Sequence, residues 1–143
     1  MATLAKAGEY IGPKPYVHPE NETYWKSLAT GELKLQQCEA CHTIRFPIGP
    51  ACFKCGSTDA DWVPVSPNGT VSAAIRIERA TGNQVWAQVV PFIAAQVDME
   101  GGQRMPGRVI CHCEQALNHG TPVTAAYLDA GDGLGVLCFV HGC

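Results

Sequence analysis

Four cysteines fall into two pairs, Cys38-x-x-Cys41 and Cys52-x-x-Cys55, separated by ten residues. A pair at that spacing bends its backbone into a knuckle that aims two thiolates at one ion, and two knuckles complete a tetrahedron around it. Ala40, Gly49, Pro50, Ala51 and Gly56 are the small residues and turn formers that such tight bends require. Four thiolates leave no open position for water or substrate, so the expected metal is a single structural Zn2+ and not a Lewis-acid centre. Its binding supplies folding free energy that a segment of about 30 residues cannot draw from a core of its own. Iron also accepts four thiolates, which keeps a rubredoxin-like electron carrier as an alternative.

The other reactive side chains form no comparable pattern. Cys111 and Cys113 lie two apart on an expected strand, Cys138 lies on the last expected strand, and Cys143 is terminal. Lacking knuckle spacing, these read as small apolar thiols. His42 directly follows Cys41 and is expected to influence the metal from outside its ligand shell. His18, His112, His119 and His141 are scattered, and no Ser-His-Asp or Cys-His spacing marks a nucleophile. Asp98 with Glu100, and Asp129 with Asp132, border turns, as solvated carboxylates commonly do. Arg45, Lys54, Arg76, Arg79, Arg104 and Arg108 can meet a phosphate, such as those of CoA, or a partner surface. Ordinary solvated charge is the competing reading for each of them.

Composition narrows the class. With 143 residues and 46% apolar content, the chain suits one compact domain plus a small module. Ten Lys and Arg against thirteen Asp and Glu give a net charge of -3, so no broad positive field attracts nucleic acid or anionic lipid. No apolar run has the length of a membrane span, and the first residues lack the continuous apolar stretch of a secretory signal. Eight cysteines without such a signal point to reduced thiols and metal ligation in a cytoplasm.

The elements that must position the four cysteines are mostly strands. Residues 1–31 read as an N-terminal arm and helix: residues 1–19 are extended and broken by Gly8, Gly12, Pro13, Pro15 and Pro19, and a short helix over Glu20 to Thr30 follows and ends at Gly31. Tyr24, Trp25, Leu28 and Ala29 form its apolar face. Residues 32–66 carry the knuckles on short strands and turns. After the Ser66-Pro67-Asn68-Gly69 turn signal, residues 67–143 show period two. Val71, Ala73, Ile75 and Ile77 are expected on the buried face of a strand, with Ser72, Arg76 and Glu78 opposite. Further strands are expected over Val85 to Val90, Pro91 to Met99, Arg104 to Cys113, Pro122 to Leu128 and Leu134 to Val140; Val85 to Met99 can also be one strand bent at Pro91. Several short strands with glycine turns and no long helix make the chain mainly β and point to a small barrel.

The order of these features resembles the DUF35 family: Tyr24-Trp25 on a short helix, Gly31-Glu32-Leu33-Lys34-Leu35-Gln36-Gln37-Cys38, Pro47, Cys52-x-x-Cys55, Trp62, Gly69-Thr70-Val71, Pro91-Phe92 and Gly120-Thr121-Pro122-Val123. The resemblance implies a rubredoxin-like zinc ribbon followed by an OB-fold barrel. It further implies a non-catalytic subunit of a thiolase-like acyl-CoA complex, as in aromatic degradation by a benzoylsuccinyl-CoA-type thiolase. The partner then carries the catalytic residues and most of the CoA thioester contacts. Phe53-Lys54 stands where the family often has Pro, and Val97-Asp98-Met99-Glu100-Gly101 where a Leu-Asp-Glu-Gly turn is usual; neither departure removes a ligand. Zinc ribbons and OB barrels also occur in single-stranded nucleic-acid binders, but those need a basic groove with stacking aromatics. The acidic chain and the aromatic-free stretch Val71 to Glu78 disfavour that alternative.

Overall fold

The computed structural model describes residues 3–111 and 117–141. In chain order these form β1 (Lys6–Glu9), α1 (Glu22–Ala29), β2 (Lys34–Cys38), β3 (Ile44–Arg45), β4 (Ala60–Pro64), β5 (Asn68–Ile77), a 3-10 helix (Gln84–Gln88), β6 (Phe92–Met99), β7 (Arg104–Cys111), β8 (Pro122–Gly131) and β9 (Leu134–His141). The ribbon is a three-stranded sheet in the order β3-β2-β4. In the second sheet β5 pairs with β6, β6 with β7, β7 with β9, β9 with β8, and β8 again with β5. That circuit returns to its starting strand, which is how a small β-protein removes most of its exposed edges.

The helix forms where the sequence places it. Glu22 lies near the positive end of the dipole and pairs with Lys26 one turn on. It stops because Gly31 takes a positive φ of 86°, which lets the Gly31 amide donate to Leu28 O at 3.0 Å and the Glu32 amide to Ser27 O at 2.9 Å. Those two bonds satisfy carbonyls that a helix end otherwise leaves open. Tyr24 and Leu28 are buried, and Trp25 packs against the same cluster.

Ribbon and barrel share one core. Leu33, Leu35 and Val65 from the ribbon side, Tyr24 and Leu28 from α1, and Val71, Val97, Met105, Val109 and Phe139 from the barrel form a single buried cluster. The helix reaches this cluster because β9 carries Gly135 where they meet. A Cβ at Gly135 would lie 2.6 Å from Ala29 N and 2.8 Å from Leu28 C.

The extended arm finds its place on the chain itself, and two other expectations change. The arm is docked on its own barrel: β1 pairs in parallel with β8, Lys6 meets Glu9 and Asp129, and Leu4 is buried with its amide donating to Gly31 O. Val85 to Val90 is no strand. The Asn83 side chain accepts from the Val85 amide and nucleates the 3-10 helix, and β6 begins at Phe92, just beyond Pro91, which has no N–H to donate.

The second change lies in β5. Val71 pairs with Val97, but Ala73 and not Ser72 pairs with Gln96, so one residue is bulged out of the ladder. A one-residue slip moves every later side chain to the other face. Val71 stays buried, while Ala73 and Ile75 are exposed, Ile75 to 65%.

The Gly135 contact gives a direct test. Its neighbours are backbone atoms that cannot step aside, so Gly135→Ala is expected to lower stability by about 1–3 kcal/mol. Thermal denaturation should show a reduced Tm, with the metal content of the folded fraction unchanged.

Candidate metal centre

The two knuckles are built alike. Cys38 ends β2; its amide donates to Thr43 O at 2.9 Å and its carbonyl accepts from the His42 amide at 2.9 Å. In the second knuckle the Cys52 amide donates to Ser57 O at 2.8 Å and the Gly56 amide donates to Cys52 O at 2.9 Å. Each loop closes through a residue in the left-handed region, His42 at φ 62° and Gly56 at φ 78°. Glycine reaches that region freely, and histidine is among the few other residues that occupy it with some frequency. His42 therefore serves the site through its backbone, with its side chain exposed.

The sulfur atoms converge. Cys38 Sγ lies 3.5 Å from Cys55 Sγ, Cys41 Sγ lies 3.6 Å from Cys52 Sγ, and all four fall within 4.8 Å of one another. A tetrahedral ion with bonds of about 2.3 Å sets its sulfurs about 3.8 Å apart, so this arrangement fits such an ion. Each knuckle contributes one buried cysteine, Cys38 or Cys52, and one exposed cysteine, Cys41 or Cys55.

The electrostatics favour a cation at the centre. Thr43, through its hydroxyl and then its backbone, holds the Cys41 thiol down at about 6. The amides of Cys55 and Lys54 pull Cys52 below its ordinary value. The Ser57 backbone favours the Cys55 thiolate too, but crowding by Cys38, Cys41 and Cys52, with burial, outweighs it and leaves Cys55 at about 11. Four thiolates repel one another at this range unless a positive ion sits between them.

The remaining sequence candidates are dispersed. Arg45 is inside the ribbon, 2% exposed, where its Nε donates to Gln36 Oε1 and its terminal nitrogen to Gly49 O. It braces β2 against the loop that leads into the second knuckle. Lys54 is exposed on that knuckle, Arg76 is exposed and paired with Glu78, and Arg79 is exposed just beyond β5. Arg104 pairs with Asp98, and Arg108 lies over the Phe92 ring at 5.9 Å. Cys138 is fully buried, and burial pushes its thiol up to about 12, as expected of an inert core cysteine. His112, Cys113 and Cys143 lie outside the described residues, as does the side chain of Cys111. Thr43 and Ser57 escaped the sequence reading, although the repeat was legible: each Cys-x-x-Cys is followed by a left-handed residue and then a hydroxyl residue.

Residues 25–61 match the family described as ChsH2, rubredoxin-like zinc ribbon domain, and residues 62–128 match ChsH2, C-terminal OB-fold domain. The chain belongs to the DUF35 family. Its fold is similar to that of a solved Ltp2-ChsH2(DUF35) aldolase chain, with a TM-score of 0.77 and 28% identity over 89% of this DUF35 chain and 98% of the other. A DUF35-family protein of unknown function from Sulfolobus solfataricus shares the fold at a TM-score of 0.60 and 17% identity, covering 89% of this chain and 88% of that one. Among curated proteins, a probable enoyl-CoA hydratase alpha subunit of Thermomonospora curvata is 28% identical over 120 residues, 84% of this chain. A 3-oxo-4,17-pregnadiene-20-carboxyl-CoA hydratase alpha subunit of Mycobacterium tuberculosis is 29% identical over 119 residues, 83% of this chain. The matches span 37% of the length of each of those two relatives.

Substitutions separate the ligands from the bystander. Cys38→Ser is expected to abolish stoichiometric metal by elemental analysis and to loosen the ribbon, whereas Cys138→Ser should retain full metal. Gly56 has open space around its missing Cβ, so only its φ matters. Gly56→Asn should therefore keep the metal, and Gly56→Val should lose it faster to a chelator.

Proposed function

We propose that this chain is the non-catalytic, zinc-binding subunit of an acyl-CoA enzyme in which a thiolase-like partner carries out carbon–carbon bond cleavage or acyl transfer. The observation that carries this reading is the closed sulfur site: four cysteines converge on one point, and a tetrahedral ion held by all four has no position left for substrate. Outside that site Cys138 is fully buried, and burial pushes its thiol up to about 12, which does not suit a nucleophile.

Two findings support a subunit role. The Ltp2-ChsH2(DUF35) aldolase pairs the family name with a second protein name, and the two hydratase relatives are named as alpha subunits of enzymes acting on CoA thioesters. Zinc is the metal this reading assigns, since a d10 ion accepts four thiolates without imposing a geometry of its own. Lys54, Arg76 and Arg79 are the exposed charges proposed to meet CoA or the partner. Arg45 has a different part: its hydrogen bonds to Gln36 and Gly49 turn it inward, where it shapes the ribbon.

Co-expression with the thiolase-like protein of its gene neighbourhood tests the proposal. The expected result is one hetero-oligomeric species on size exclusion, one zinc per chain, and acyl-CoA cleavage that neither subunit shows alone. Thioester turnover by the isolated chain, or two proteins that elute separately, would overturn it.

A further inference from the structure

The bulge in β5 creates a surface that the ribbon site does not explain. Cross-strand partners share a face of a sheet, so the pairings Ile77 with Phe92, Ile75 with Ala94 and Arg108, and Ala73 with Gln96 and Pro106 define three rows on the side opposite Ala95 and Val97. Ala95 and Val97 are buried in the core, so these rows face outward. Outward rows of an antiparallel sheet are ordinarily polar. Here Gln96 and Arg108 are the only polar members.

The face is also concave. Its Ala and Gly residues leave a hollow of about 500 Å³ that continues to Leu128 and Val136, bounded at one end by the stacked rings of Trp86 and Phe92. Beside it runs an open strand edge. β8 pairs with β5 only from Asn68 to Thr70, so among the described residues Ala73 to Ile77 pair with β6 alone. An apolar edge strand of this kind is a template for another chain.

Charge identifies the occupant. Among the described residues Arg45 donates to Gln36 and Gly49, Arg76 meets Glu78, and Arg104 meets Asp98. Arg79 and Arg108 have neither a carboxylate nor a carbonyl partner there, and both flank the Trp86–Phe92 pair, Arg79 from a smaller hollow on its other side. A second copy of this chain would bring like charges together across the contact. A partner that inserts apolar side chains and offers carboxylates completes both the hollow and the two guanidinium groups.

We infer that the outward face of β5, β6 and β7, with Arg79 and Arg108 at its rim, is the docking surface for the catalytic partner subunit. The inference rests on the subunit reading above and adds the place of contact and its chemistry: apolar centre, acidic rim.

The test uses the full chain and the tagged thiolase-like subunit, with affinity read by an immobilised-partner binding assay. Ile75→Glu and Arg79→Glu alter exposed side chains, so folding and zinc content should match the unsubstituted protein. Each is expected to weaken partner binding by about 100-fold, while Lys26→Glu on the solvent side of α1 leaves it unchanged. Unaltered binding by Ile75→Glu would overturn the surface and leave the subunit reading standing. Failure of the unsubstituted chain to bind would defeat the subunit reading, and this inference with it. A homodimer of the chain alone, abolished by Ile75→Glu, would assign the face to a second copy and equally overturn the proposal.

Discussion

Four sulfur atoms within 4.8 Å of one another are stable as thiolates only around a positive ion, and the organisation of the ribbon follows from that constraint. The knuckle amides donate where negative charge accumulates, and the hydroxyl residues after each knuckle, Thr43 and Ser57, close the loops. A ribbon sheet with two residues in β3 and five each in β2 and β4 offers little burial of its own. The ion supplies what the short strands lack.

The ribbon nevertheless does not stand apart from the barrel. Leu33 precedes β2, Leu35 lies in it, and both are buried with Leu28, Met105 and Phe139, so the strand that delivers Cys38 is anchored at its other end in the barrel core. The aromatic contact of Tyr24 with Phe46 ties α1 to the loop after β3. Loss of the ion therefore releases the knuckles while the Leu33–Leu35 anchor keeps its own apolar support. Arg45 belongs to this bracing, which is why a residue that reads as a surface cation in sequence is almost fully buried.

Much of this was legible in the sequence because the signals were local. Two Cys-x-x-Cys pairs identify a metal site without any knowledge of the fold, and Gly31 marks the end of α1 because only its own turn decides that. What was not legible depends on pairing. The β5 bulge obeys no composition rule: Val71, Ala73, Ile75 and Ile77 alternate perfectly, and only the ladder to β6 reveals that Ser72 is skipped. Val85 to Val90 has strand-forming residues, yet the Asn83 cap and the proline at position 91 outweigh that propensity. The arm lacks any periodic pattern because β1 has four residues and gains its order from β8.

The single skipped residue in β5 divides the labour of the barrel. Upstream of it, inward side chains such as Val71 answer to packing, and any change is felt throughout the interior. Downstream, Ala73 and Ile75 answer to whatever lies outside. Sequence drift on that outer side carries little thermodynamic cost for the fold, because those side chains already stand outside the packed interior.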